Sequence, residues 1–162
     1  MKMIAAVALV ALAGIARASA PIVGEVFPWF EIGETVDAET MKGLRLFCTH
    51  KAEDGLRACA QYIIADATLP SNQHARVTLS VPDHKVLLVR REIECDTIDE
   101  AKELSRELIE QFKPLECGEG KKVLEISDVT DEEVVVYLWD KDYFREYKAW
   151  GSEEPQEVGD GQ

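Results

Sequence analysis

Residues 37–70 read DAETMKGLRLFCTHKAEDGLRACAQYIIADATLP, and the period assigned to this stretch decides the fold. Asp37 is a helix N-cap type, because its carboxylate can accept backbone N–H groups of a first turn. Ala38, Met41, Leu44, Phe47 and Cys48 then recur at steps of three and four, which predicts a helix over 38–49, with Gly43 as its weak point. Leu56, Cys59, Ala60, Ile63 and Ala67 repeat the pattern over 53–68, and Pro70 stops it. The short turn from Thr49 to Ala52 joins the two into a helical hairpin, with Cys48 and Cys59 placed to clamp its neck.

Beyond Pro70 the period changes to two. Val77, Leu79 and Val81 alternate with Arg76, Thr78 and Ser80; Pro82-Asp83-His84 makes a turn, and Lys85 to Ile93 is rich in Val and Leu, which predicts a β-hairpin. Thr97 and Glu100 have capping-box spacing. Ile98, Ala101, Leu104, Leu108 and Phe112 follow at helical steps, with Pro114 just beyond, which predicts an amphipathic helix flanked by Cys95 and Cys117. A second hairpin is expected from Lys122 to Ser127 and from Glu133 to Trp139, about the turn Asp128-Val129-Thr130-Asp131. Trp139, Tyr143, Tyr147 and Trp150 then form an aromatic stripe on a short C-terminal helix. On the other side of the opening stretch, residues 21–34 form an extended entry segment whose Phe27, Trp29 and Phe30 tuck against the core. The expected fold class is α+β: an N-terminal disulfide-clamped helical hairpin, two β-hairpins and one amphipathic helix in a single domain over 21–150.

Residues 1–20 carry Lys2, the apolar run Met3 to Ile15, and Ala18-Ser19-Ala20 before Pro21. That order is a secretory signal peptide, with an apolar run too short to span a bilayer. Residues 151–162 are acidic and poor in hydrophobes, an expected disordered tail. The leader holds Lys2 and Arg17 and no acid, so residues 21–162 carry 16 basic against 31 acidic side chains, a formal charge of −15. Such a charge repels nucleic acid and favours a basic protein partner. All four cysteines lie after residue 20, and an even count in an exported chain predicts two disulfides. Three connectivities exist; Cys48–Cys59 with Cys95–Cys117 is favoured because each pair brackets a local unit.

Catalytic signatures are weak. Cys48 and His50 stand two apart, with His74 and His84 elsewhere, and no zinc-ligand spacing is present. There is no G-x-S-x-G elbow. Asp128, Asp131, Glu132 and Glu133 cluster at a turn without the calcium-loop pattern, so neither a metal nor a cofactor is expected. The stripe Trp139, Tyr143, Tyr147 and Trp150 is a candidate protein interface, since amphipathic rings beside acids suit a binding hot spot.

Leu46-Phe47-Cys48, followed after ten residues by Cys59-Ala60-Gln61-Tyr62-Ile63, resembles the opening of the Tai-like family of periplasmic immunity proteins. In that family a helix ends in Cys and the next begins Cys-x-x-Tyr-Ile. Cys95, the segment Ile98 to Phe112 and Pro114 are similar to the family's following Cys, helix and Pro. The resemblance implies a non-catalytic protein that blocks a toxic enzyme in the periplasm. The expected function is therefore an exported binding or inhibitory module, secreted or periplasmic. The alternatives are a small secreted hydrolase and an envelope protein with weak cation binding.

Overall fold

Val77 and Leu79 are wholly inaccessible to solvent, and the strand that carries them lies near the middle of the fold. The computed structural model describes residues 23–52, 54–116, 122–127 and 132–151. Six strands, β1 (Arg45–His50), β2 (Cys59–Ile63), β3 (Gln73–Ser80), β4 (Val86–Glu94), β5 (Lys122–Ile126) and β6 (Glu133–Asp140), form one sheet in the order β1-β2-β3-β4-β6-β5. Every neighbouring pair is antiparallel. Among the described residues four helices accompany the sheet: α1 (Val23–Val26), α2 (Ala38–Lys42), α3 (Ile98–Glu116) and α4 (Lys141–Gly151). No helix among the described residues is long and apolar enough to cross a membrane.

Strand β6 shows why both faces of the sheet are covered. Successive side chains on a strand point to opposite faces. Val134, Val136 and Leu138 join one core with Ala101, Leu108 and Phe112 of α3 and with Val26 and Phe27 of the entry segment. Tyr137 and Trp139 join a second cluster with Leu88, Tyr143 and Phe144. Helix α3 thus lies on one face and α4 on the other. The entry segment is held by Arg91, which donates to the Val26 carbonyl (3.0 Å) and to Gln73 Oε1 (2.6 and 3.0 Å), and by Trp29 Nε1, which donates to Asp66 Oδ2 (2.7 Å). At the start of α3, Glu100 N–H donates to Thr97 Oγ1 as the capping box requires. The return bond differs: Glu100 Oε2 accepts from the Asp96 N–H.

Three expectations need correction, beside two smaller ones: α1 (Val23–Val26) lies in the segment expected to be extended, and α3 runs through Pro114 to Glu116 where it was expected to stop before the proline. The helical hairpin is not formed. Asp37 does cap a helix, its Oδ1 accepting from the Glu39 and Thr40 N–H groups, but α2 ends at Lys42, before Gly43. The residues expected in the rest of the first helix and in the second form strands β1 and β2. Gly55, at φ +85, turns the chain between them with a backbone that L side chains rarely adopt, inside the stretch expected to be helical. The fold is therefore mostly β: the edge strand β1 and its neighbour β2 extend the sheet where a helical pair was expected.

The disulfides are corrected as well: Cys48, Cys59 and Cys95 are all free. Cys48 lies opposite Gln61, and Cys59 opposite His50, so the two thiols are diagonal neighbours on one face. Diagonal positions sit about 7–8 Å apart, beyond the roughly 4 Å Cβ separation of a cystine. Cys117 lies outside the described residues, as do the leader (1–20), most of the acidic tail and the Asp128–Asp131 turn. With no cystine among the described residues, nothing in the structure speaks for secretion. Third, Trp139 belongs to β6 and not to the C-terminal helix.

Candidate functional site: an aromatic cleft between the last helix and the sheet

Strand β6 passes into α4 without a loop. Asp140 Oδ1 accepts from the N–H groups of Asp142 (3.1 Å) and Tyr143 (2.9 Å), so the last strand residue is also the helix cap. This abrupt change folds α4 back over the face that carries Tyr137 and Trp139. Around the Trp139 ring stand Tyr147 at 5.2 Å, Tyr137 at 5.4 Å, Phe144 at 5.6 Å and Tyr143 at 5.9 Å between centroids. These separations are those of favourable offset and tilted ring pairs.

A cleft of about 620 Å³ opens beside this cluster. Leu88, Tyr137 and Trp139 of the sheet and Tyr143, Tyr147 and Trp150 of α4 give it an apolar lining, while His50, Lys51 and Arg57 stand at its β1–β2 side. Arg57 bridges that side to α4 through Glu146 Oε1 (3.3 Å) and Asp140 Oδ1 (3.8 Å). Trp139 and Tyr143 are buried, whereas Tyr147 and Trp150 are 43% and 49% exposed. All four residues of the predicted stripe therefore meet at one cleft. Trp139 Nε1 is buried without a hydrogen-bond partner, a rare condition that costs about 1–3 kcal/mol.

Next to the cleft, Arg76 and Arg90 face each other across β3 and β4, a like-charge pair that needs an acid. Glu92 supplies it, at 2.7 Å from Arg90 and 3.5 Å from Arg76. The Arg90 Nε to Glu92 Oε1 contact is an ion pair whose N–H direction misses the oxygen, since neither atom counts as hydrogen-bonded. Arg90 also lies 5.5 Å over the Tyr137 ring, and fixes that wall of the cleft.

The thiols differ in setting. Cys59 lines the cleft, buried, within 3.6 Å of the Tyr143 hydroxyl. Burial pushes the Cys59 thiol up, which disfavours the thiolate that nucleophilic attack needs. Burial, then the Cys59 contact, pushes the Tyr143 phenol well above its ordinary value, and burial raises Tyr137 too. Cys48 touches His50 Nε2 at 3.4 Å and Gln61 Oε1 at 3.6 Å, but on the exposed edge strand and outside the cleft lining. Cys95 sits at the far end of β4, where its N–H donates to the Glu132 carbonyl. His74 pairs with Glu94 on β3 and β4, and His84 lies in the β3–β4 turn, so the three histidines are not brought together. Among the described residues no group of three or more His, Cys, Asp or Glu is arranged to hold a metal ion.

The raised groups give an alkaline prediction. Cys59, Tyr137 and Tyr143 hold their protons more tightly folded than unfolded. Their contribution is complete below the unfolded values, about 8.5 for a thiol and 10 for a phenol, and is lost as pH rises above them. The free energy of unfolding, read from urea titrations, is expected to fall steeply between about pH 9 and 11, by up to roughly 1.4 kcal/mol per pH unit for each group. Tyr143→Phe should flatten the slope; an unchanged slope would place that phenol in solvent.

Sequence reasoning missed Tyr137, Leu88 and Arg57. Tyr137 was within reach, because a strand residue two before Trp139 shares its face. Leu88 and Arg57 come from elsewhere in the chain and carry no local signal. The chain matches no family model, and no curated protein or solved structure is detectably similar to it.

Proposed function

We propose that this domain is a non-catalytic binding protein, and that the cleft between α4 and the sheet receives an apolar-bodied segment of a partner protein. The observation that carries this is the convergence of Tyr137, Trp139, Tyr143, Tyr147 and Trp150 on one cleft with cationic and imidazole side chains along one side. Large rings that are already ordered contribute contact area at low entropic cost, which is why they dominate binding hot spots. The protonated Cys59 thiol supports binding over thiol chemistry at this place. An immunity role rests on the resemblance carried by residues 46–63 and by Cys95, Ile98 to Phe112 and Pro114. A destination outside the cytosol rests on the composition of residues 1–20 alone, since paired thiols no longer support it.

Tyr147 and Trp150 are half exposed, so truncating them should leave the fold intact while emptying the cleft wall. The double variant Tyr147→Ala/Trp150→Ala is expected to keep the parent's circular dichroism. It should lose about 2–4 kcal/mol of partner affinity, roughly thirtyfold or more. The measurement is titration with a partner captured stoichiometrically on the full chain, together with hydrogen exchange showing protection of α4 and β6. Equal affinity of parent and double variant would remove the cleft from the interface.

A further inference from the structure

Among the described residues strand β1 ends the sheet: it pairs with β2 on one side only, so a row of its backbone groups faces outward. Five of its six residues are exposed, including Leu46 at 54% and Phe47 at 51%. Phe47 is poised by the Arg76 guanidinium, 4.1 Å from its ring centroid. The charge of this edge runs against that of the protein. From Met41 to Ala52 the chain carries Lys42, Arg45, His50 and Lys51 and no acid, in a protein of net charge −13. Lys42 is held by Glu39 at 2.7 Å on α2; Arg45, His50 and Lys51 lie on β1 and just after it.

From this geometry we infer that β1 is an acceptor edge for an extended acidic peptide of a partner, which adds as a further strand. Main-chain hydrogen bonds would supply the attachment, and alternate side chains the selection. Acidic residues on one face of the added strand would meet Arg45 and His50, which share a face of β1, while apolar ones on its other face would cover Leu46. A second copy of this chain fits worse: two β1 edges paired antiparallel set basic side chains against basic ones, which is destabilising. At physiological ionic strength charges farther than about 8 Å are screened, so the sign of this edge outweighs the net charge. Basic residues and the bulge at Phe47 are also devices that blunt an edge against unwanted pairing. Two exposed apolar side chains are the wrong complement for a merely blunted edge. His50 and Lys51 also stand at the β1–β2 side of the cleft, so the two surfaces share that rim, whereas Arg45, Leu46 and Phe47 lie outside the cleft lining.

The test uses the full chain and three short end-capped fluorescent peptides. One alternates Glu and Val; one has Lys in place of Glu; one keeps Glu and Val but is N-methylated at alternate backbone nitrogens. The first should bind at least about tenfold more tightly than either of the others. Hydrogen exchange should slow at β1 amides and stay unchanged along β5, the opposite edge. Arg45→Glu, at a position outside the cleft lining, should weaken the first peptide about tenfold, while Tyr147→Ala/Trp150→Ala should leave it bound as in the parent. Equal binding of the Glu and Lys peptides, no loss on N-methylation, protection at β5 or α4, or a dimer that the peptide merely dissociates would each overturn the inference. If the cleft variant fails to bind its own partner differently, only the cleft assignment falls.

Discussion

Phe112→Ala is expected to lower the free energy of unfolding by about 3–5 kcal/mol, the usual cost of deleting a buried aromatic ring. The ring is 2% exposed and belongs to the core formed by α3 against β5 and β6. Ala101, Ser105, Leu108 and Phe112 are the buried positions among residues 98–112 of the helix, and Phe112 is in the same core cluster as Leu124, Val134 and Val136. Its removal leaves a void that rigid strands cannot close, so both the transfer loss and the cavity loss apply. For a domain of this size such a loss corresponds to a melting temperature lower by roughly 10–20 °C. Ile109, one helical step away and 37% exposed, provides the control: Ile109→Ala should cost about 1 kcal/mol or less. Urea unfolding of both variants, with equal slopes, is the measurement. Similar small losses for both would mean that α3 is not seated on the sheet.

Much of this packing was legible in the sequence, and the part that was not has a physical cause. The chain keeps a period of two over Val77 to Val81, at the end of strand β3, and steps of three and four in helix α3, while β4 and β6, covered on both faces, carry continuous apolar runs at Val86–Val89 and Val134–Val136. Strands β1 and β2 extend the sheet past its well-covered middle, and burial imposes little pattern on β1, whose residues are nearly all exposed. Leu44, Phe47, Cys48 and Leu56, Cys59, Ile63 satisfy a helical step without any helix to hold them, and Asp37 strengthened the error by capping a real but five-residue helix. Counting cysteines failed because the pairing rule knows parity and compartment but not register. Cys48 and Cys59 are adjacent strands' residues, displaced diagonally, and only the register Cys48↔Gln61 shows it. The aromatic stripe was found by a spacing that is partly accidental. Trp139 meets the α4 rings because Asp140 ends the strand and caps the helix in one residue, not because the four share a helix. Tyr137 could be reached by a period of two once that strand was assigned, whereas Leu88 and Arg57 depend on tertiary placement that no local pattern encodes.

Trp139 joins the stability of the fold to the shape of the cleft, and two substitutions should separate those roles. Trp139→Ala is expected to destabilise the domain by about 3–5 kcal/mol, because the ring is 4% exposed and is the common neighbour of Tyr137, Tyr143, Phe144 and Tyr147. Four aromatic contacts are lost together, and α4 has little else against β6. Trp139→Phe behaves differently. It deletes part of the buried area, worth about 1–2 kcal/mol, but it also deletes an N–H that the fold buries without an acceptor. Removing an unsatisfied donor recovers about 1 kcal/mol or more, so the net cost should stay below about 1 kcal/mol. The contrast with Ala is then far larger than area alone predicts. Chemical denaturation gives the stabilities, and partner titration the consequence for the cleft. With the fold kept, Trp139→Phe leaves Tyr147 and Trp150 in place and should change partner affinity by only a few-fold, unless the partner itself supplies the missing acceptor to Nε1. In that case Trp139→Phe loses tenfold or more in affinity at nearly unchanged stability, and the unpaired indole nitrogen becomes a direct reader of the bound segment. A Trp139→Phe cost as large as that of Ala would mean that Nε1 has an acceptor in solution and that the cleft wall is organised around that bond.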